Sequence, residues 1–312
     1  VSPTRSILSE RWVVAAIATL CALLWGSAVP AVKAGYALLA IAPGDTASLM
    51  LFAGIRFGLA GLLLLGFALL QRKPIWPGGT GLMQVGALGL LSTALQYGFY
   101  YVGLAHTSGV KVSITTSTST FFSVLLAHYI YVDDKLSVRR ILGCLVGFAG
   151  VVAVNLSAAG FDLTFSLLGE GFILIAALMF SLAGIYGKRL SRRLDPVVMT
   201  GWQLFAGGTL LGLTGLLAGG HLGAPDLEAF GLLFYLVVLS AAAFALWSLL
   251  LKHNPVGTVA IFNCLIPVFG VTLSAIVLGE NVLEWKNLAA LVLVVTGIWL
   301  VNRPLAGVPK PL

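Results

Sequence analysis

The stretch SGVKVSITTSTSTFFSVLLAHYIYVDDKLSVRRILGCLVGFAGVVAVN, residues 108–155, decides the fold once it is laid over residues 255–302, PVGTVAIFNCLIPVFGVTLSAIVLGENVLEWKNLAALVLVVTGIWLVN. The two align without a gap at an offset of 147 residues, each as an apolar run, a charged turn and a second apolar run. Val112 meets Val259, Ile114 meets Ile261, Phe122 meets Phe269, Leu136 meets Leu283, Gly150 meets Gly297 and Asn155 meets Asn302. Apolar identities alone carry little weight. The same offset, however, pairs His106 with His253 and Arg56 with Gln203, and a slightly larger one pairs Trp25-Gly26 with Phe180-Ser181 and Lys33 with Lys188. The chain reads as one unit present twice.

Working outward, ten apolar runs can be drawn, near 12–34, 46–70, 80–104, 109–131, 138–156, 168–189, 196–219, 229–251, 257–278 and 285–302. Most are long enough to cross a hydrocarbon core, which takes about 20 helical residues. The composition agrees, with 59% hydrophobic and 9% charged residues, where soluble domains carry roughly 25% charged. The short alternating strands of a transmembrane barrel are not visible. The expected fold is an all-α membrane protein of ten transmembrane helices, with repeat 1 over 12–156 and repeat 2 over 168–302. Five spans per unit is an odd number, so the second copy enters the membrane upside down, the inverted-topology arrangement of secondary transporters.

The net charge of +7 raises nucleic acid as a partner, but the basic residues sit in short breaks between spans and form no patch or stripe. Their placement reads as topology. Fourteen of the eighteen Lys and Arg residues, among them Arg72, Lys73, Arg139, Arg140, Arg192 and Arg193, fall on the side of the N-terminus; only Lys33, Lys111 and Lys286 fall opposite, and Arg56 lies within a span. The positive-inside rule then puts both termini in the cytoplasm. Lys33 and Lys188 read as topological anchors, and Asp133-Asp134, beside three cations, as a solvated turn. Its counterpart around Glu280 and Lys286 is not basic, as inversion requires. Cys21, Cys144 and Cys264 stand alone in spans, without metal spacing, and read as small apolar fillers. The first run is too long for the core of a typical signal peptide and is needed as the first span, so no cleavage is expected. Residues 303–312 read as a Pro-rich disordered tail.

Leu24-Trp25-Gly26-Ser27 in the first span, Arg56 in the second, and the helix-turn-helix from Pro267 through Gly279-Glu280 to Gly297 resemble the EamA-type drug/metabolite transporter superfamily. Within it the chain looks closest to bacterial exporters of aromatic and other neutral amino acids of the YddG type. The resemblance implies a carrier that exports small neutral metabolites, amino acids with aromatic or hydrophobic side chains, across the bacterial inner membrane by alternating access. It further implies a monomer whose partners are a small-molecule substrate and the lipid bilayer, with no cofactor and no metal. The family carries Pro in the fourth span of a repeat. Pro267 supplies it in the second copy, but Thr120 stands there in the first, so the two helices are expected to bend differently.

Arg56 lies about ten residues from its span end, roughly 15 Å deep at 1.5 Å per residue, too far to snorkel. It either attracts a substrate carboxylate or caps carbonyls near Gly54 and Gly58. Seven of the eight residues from Ser113 to Thr120 are Ser or Thr. Some of these bond back to carbonyls and flex the helix; Thr115 and Ser119, one turn apart, are the expected pore-facing pair. Tyr97 and Trp247 either form the apolar wall of a pocket or belong to lipid belts. Trp25, Trp202, Gln203 and Asn263 are further substrate-binding candidates. Gly54 and Gly58, Gly143 and Gly147, and Gly208 and Gly212 have GxxxG spacing, which suits close helix packing.

No Asp or Glu lies well inside a span; Asp45, Glu170 and Glu280 are near ends. Proton coupling through a central acid therefore lacks its usual carrier. A membrane enzyme is disfavoured, because there is no HExxH, no paired acid clusters and no nucleophile elbow. A channel or facilitator for other small solutes is the alternative, although no filter-like repeat is present.

Overall fold

A computed structural model describes residues 6–42, 44–107, 109–132, 134–154, 165–278 and 285–302. Among these residues the chain is helical, with no strand. The helices are α1 (Arg11–Leu38), α2 (Thr46–Leu70), α3 (Gly78–Gly89), α4 (Gln96–Ala105), α5 (Gly109–Ser117), α6 (Ser119–Ile130) and α7 (Val138–Val154). They continue as α8 (Phe172–Ser191), α9 (Pro196–Leu217), α10 (Leu227–His253), α11 (Val256–Ala260), α12 (Leu265–Leu278) and α13 (Trp285–Asn302). Six stretches are long and apolar enough to cross a membrane: Arg11–Leu38, Thr46–Leu70, Leu167–Ser191, Pro196–Leu217, Leu227–His253 and Val256–Leu273. Leu62, Phe67, Leu145, Leu213, Leu216 and Phe234 are exposed large hydrophobics on helices of this set and on α7, as expected of side chains that face lipid.

Acidic residues placed just ahead of apolar runs start several helices. Asp45, Asp195 and Asp226 each accept a bond from a first-turn amide, those of Ser48 at 3.0 Å, Val197 at 2.9 Å and Ala229 at 2.8 Å. Pro196 follows Asp195 at the first helical position, where its missing N–H costs nothing.

Of the other expected spans, two are broken, while α7 and α13 run unbroken through the described parts of theirs. Residues 80–104 are covered by α3 and α4 with a π-helical segment, Leu90–Leu95, between them. Residues 109–131 are covered by α5 and α6, interrupted at Thr118, where Thr118 Oγ1 donates to the Thr115 carbonyl at 2.6 Å and Ser117 Oγ to the Ser113 carbonyl at 2.9 Å. Such back-bonding bends helices. In the second half α11 and α12 are separated by a 3-10 segment, Ile261–Cys264, just ahead of Pro267. Both fourth spans are thus interrupted, the first at Thr118 by hydroxyls and the second by a 3-10 segment beside proline.

Glycines set the tightest crossings. On α2 and α9, a Cβ on Gly54 would lie 2.3 Å from Gly212 Cα, and one on Gly208 would lie 2.4 Å from the Gly58 nitrogen. A Cβ on Gly61 would meet the Phe205 nitrogen at 2.3 Å and the Gly201 carbonyl at 2.6 Å; on Gly215 it would meet the Leu51 nitrogen at 2.5 Å and the Ala47 carbonyl at 2.6 Å. The two sides of this crossing exchange when Gly54 is matched to Gly208 and Gly61 to Gly215, an offset of 154 residues. That match pairs Arg56 with Leu210 and corrects its expected pairing with Gln203: seven residues are about two helical turns, so an offset of 147 keeps the helical face but slips the contacts two turns along the axis. On α7 and α13 the offset of 147 does hold. Gly150 abuts the Ala290 carbonyl (2.8 Å) and Gly297 the Gly143 carbonyl (2.6 Å), measured from the added Cβ.

Elements alternate in direction, so contacts gather at two ends. At the near end, where α1 begins, Ser9 Oγ donates to the His253 carbonyl (3.3 Å) and Lys73 pairs with Asp195 (2.8 Å). At the far end the Gly223 amide donates to the Leu39 carbonyl (2.8 Å) and the His221 amide to Ser48 Oγ (3.0 Å). Two expectations fail at the near end. Asp134 is no solvated turn residue but is 1% exposed, and Asp133 lies outside the described residues. Lys188 is no surface anchor: it is buried, donates to the Asn254 carbonyl and sits 5.1 Å from the Tyr131 ring centroid. A buried ammonium needs such partners. The three cysteines are free and buried. Glu280, residues 157–164 between the two expected repeats, and 303–312 lie outside the described residues.

Candidate functional site: a central aromatic chamber

Rings from both halves meet at mid-height. Trp25 of α1 stands edge-on to Trp247 (5.1 Å between centroids), Phe244 (5.5 Å) and Phe180 (6.4 Å). Phe244 also meets Phe57 (6.0 Å), and Phe57 packs on Tyr97 (4.5 Å), which continues to Tyr100 and Tyr101. The result is one chain of aromatic contacts from α1 and α2 through α10 to α4. Edge-to-face pairs of this kind hold their geometry tightly, which gives the chamber a fixed apolar wall.

Arg56 lies beside the middle of this chain, against Phe57. It is buried, its Nε donates to Ser240 Oγ at 2.8 Å, and its guanidinium carbon lies 4.6 Å from the Phe57 ring centroid. Ser240 Oγ in turn donates a hydrogen bond to the Leu236 carbonyl at 2.7 Å. The terminal nitrogens of Arg56 have no hydrogen-bond partner among the described residues. Neither sequence-based role is thus already met inside the protein: no carbonyl near Gly54 or Gly58 is capped by it, and its fork is available.

Between Phe180, Phe244 and Trp247 lies a cavity of about 40 Å³, which Gln203, Ser92 and Ser248 also line. Since a water needs roughly 10–15 Å³ measured this way, the space holds two or three waters and no amino acid. Arg56 does not line it; Phe57 and Phe244 stand between. Polar atoms without partners surround the aromatic chain. Trp25 Nε1, Gln96 Oε1, and both Nδ2 and Oδ1 of Asn263 are buried and unpaired among the described residues. Asn263 is only 4% exposed and sits in the 3-10 interruption, one turn before Ile266, whose carbonyl faces Gly26 next to Trp25. Leaving such an amide unpaired costs about 1–3 kcal/mol, so its retention calls for a purpose.

The sequence candidates thus divide. Arg56, Tyr97, Trp25 and Trp247 are joined by the aromatic chain, and Gln203 shares the cavity with Trp247. Trp202 is elsewhere: its Nε1 donates to the Ile75 carbonyl at 2.7 Å, it meets Trp76 edge-on, and it lines an apolar groove of about 380 Å³ with Leu82 and Val85. Ser119 is buried at the contact of α6 with α8, where its carbonyl accepts Ser181 Oγ at 2.9 Å. Thr115 is half-buried on the other side of the Thr118 break, so the one-turn spacing expected to align the two is interrupted. Phe57, Ser240 and Phe180 were not singled out. Phe180 had a signal, its match to Trp25, but nothing local marks Ser240, which is 184 residues from Arg56.

Comparison with known proteins gives the same class. The profile described as the EamA-like transporter family matches residues 11–156 and again 167–303. The chain is 31% identical over 289 residues to the uncharacterized transporter YvbV of Bacillus subtilis, covering 90% of this chain and 88% of that one. It is 26% identical to the uncharacterized inner membrane transporter YedA of Escherichia coli K12, over 88% of this chain and 86% of the relative. A protein of known crystal structure shares the fold with a TM-score of 0.77 at 20% identity, over 94% of this chain and 97% of the other. With a profile match over nearly its whole length and a full-length relative above 30% identity, this membrane-spanning chain belongs to the EamA-like transporter family.

Proposed function

We propose that the protein is a secondary transporter that exports small neutral metabolites, in particular amino acids with aromatic or hydrophobic side chains, across the bacterial inner membrane. The observation that carries this reading is Arg56, a buried cation with unclaimed terminal nitrogens at the edge of an aromatic wall. A carboxylate matches the guanidinium fork. Rings suit the side chain, the unpaired Asn263 amide oxygen suits an ammonium group, and the unpaired Trp25 N–H, a donor, suits a carboxylate or carbonyl oxygen.

The path is formed by two five-helix inverted repeats, 12–156 and 168–302, with both termini cytoplasmic, acting as a monomer. Packing supports the repeat: the contacts of α2 on α9 and of α7 on α13 exchange when the halves are exchanged. So do those of Gly26 against the Ile266 carbonyl and of Ser181 against the Ser119 carbonyl. Rocking one half against the other opens the chamber to each side in turn. Facilitated diffusion is the second reading, favoured by a cavity lining that carries no Asp or Glu while Glu170 sits at a span end.

The test is counterflow. Purified protein in liposomes preloaded with unlabelled phenylalanine should accumulate labelled phenylalanine transiently, and a panel of neutral amino acids should compete. Indifference to every amino acid sinks the substrate class; ohmic current without counterflow makes the protein a channel.

A further inference from the structure

Two buried carboxylates lie at opposite ends of the bundle, and each joins one half to the other. At the near end Asp134, in the turn after α6, bonds Arg140 through Oδ1 at 2.6 Å and accepts the Gly257 amide through Oδ2 at 3.0 Å. Gly257 belongs to α11, in the second half. Arg140 also donates to the Lys135 carbonyl at 2.8 Å, which fixes the turn from behind. At the far end Glu170, which precedes α8, accepts Thr107 Oγ1 and the Ser166 amide (2.7 Å) and lies 3.4 Å from Lys111 Nζ. Thr107 and Lys111 flank the start of α5, in the first half. Here the packing is tight, since a Cβ on Gly169 would sit 2.8 Å from the His106 carbonyl.

The two arrangements are counterparts. Each carboxylate grips the leading part of the other half's interrupted helix, α11 or α5, and directly behind the gripped part lies the interruption, the Ile261–Cys264 segment or Thr118. A short helix held at its start and broken behind can swing as a unit. We propose that Asp134 and Glu170 are positioning residues that latch the near and far ends of the transport path, so that opening either end requires breaking one of them. This rests on the alternating-access reading above. Both latches are made in this structure. Asn or Gln keeps the shape but removes the charge that holds Arg140 or Lys111, so Asp134→Asn favours the state open at the near end and Glu170→Gln the state open at the far end.

The experiment uses full-length protein in liposomes of one orientation, with Cys21, Cys144 and Cys264 changed to alanine and a reporter Ser248→Cys in the chamber wall. A membrane-impermeant maleimide is applied from either side. The expected result is that Asp134→Asn speeds labelling from the near side at least about threefold and slows it from the far side, while Glu170→Gln does the reverse. Arg140→Gln, which weakens the near latch from its other partner, should act like Asp134→Asn and serves if that variant fails to fold. Equal change from both sides, or none while counterflow persists, marks these residues as merely structural and overturns the proposal. If the unaltered carrier labels from one side only and shows no counterflow, alternating access itself fails, a result distinct from unlatched but active variants, and it removes the latches with it.

Discussion

Arg56 and Ser240 are joined across 184 residues of chain by one hydrogen bond of 2.8 Å, from the guanidinium Nε to the hydroxyl. That bond, with the Phe57 ring 4.6 Å from the guanidinium carbon, gives a buried cation a defined place. Removing the charge and removing its orientation should therefore have separable effects. Hydrogen bonds to charged groups are worth about 1.5–3 kcal/mol, so Arg56→Gln should raise the KM for a carboxylate-bearing substrate roughly 10- to 100-fold. Ser240→Ala should cost a few-fold at most, and Arg56→Lys should fall between, keeping the charge and losing the fork. Flux that is unchanged in folded Arg56→Gln protein rules out the carboxylate role.

The α2–α9 crossing has an internal control. A side chain on Gly54 would overlap Gly212 backbone at 2.3 Å, whereas a Cβ on Gly58 meets nothing within 4 Å. Gly54→Ala should lower the melting temperature measured in detergent by an amount matching overpacking of about 1–3 kcal/mol, or prevent folding. Gly58→Ala should leave it level or raise it, since alanine is the better helix former. Similar loss in both variants would show that the crossing is not held by backbone contact.

Asn263 should trade stability against function. Its amide is buried with no partner, so Asn263→Leu removes a desolvation cost of about 1–3 kcal/mol and should raise the melting temperature without substrate. Transport should fall at the same time, because a polar subsite has gone. A variant that melts lower and transports normally contradicts the role given to this residue.

At the near end, burial alone would raise the Asp195 carboxyl, but its bond to Lys73 and the amides of Val198 and Val197 hold its pKa below the ordinary value of 3.8. The folded state thus favours the charged form. Its stabilisation is complete above the ordinary carboxylate range and is lost as pH falls through the lower folded value. Both partners are about a third exposed, so the ion pair contributes only about 0.2–1 kcal/mol. Asp195→Asn, still a good helix cap, should lose that increment and flatten the acid limb of a melting curve below about pH 4, while Asp195→Ala should lose a further ~1 kcal/mol of capping at neutral pH. Equal melting curves for the two variants would show that the cap contributes nothing.

Much of the site was legible because depth in a membrane is a linear property of sequence. Arg56 could be placed far from a span end by counting, and a cation at that depth needs a partner or a cavity. Tyr97, Trp25 and Trp247 stood out as aromatics near polar neighbours. Which of them touch depends on how helices rotate about their axes, and apolar runs with no polar face do not encode that rotation. Trp202 shows the consequence: one helix position from Gln203, it turns outward to Ile75 and Trp76 while Gln203 lines the cavity. Asp134 shows another. Its neighbours in sequence are cations, as in a solvated turn, but the amide that buries it lies 123 residues away.

The sequence by itself determined the class of this protein: apolar runs of bilayer length, a duplicated pattern and the asymmetry of Lys and Arg define a helical membrane protein, because backbone groups in lipid leave few alternatives. The glycine spacing likewise announced that helices would approach closely. Only the tertiary structure decided which glycines meet, and with them that Arg56 corresponds to Leu210 in the repeat, that both fourth spans are interrupted, and that two carboxylates join the halves at opposite ends. The reason is physical. Span length follows from local hydrophobicity, whereas the partner of a buried charge is fixed by packing between segments far apart in the chain.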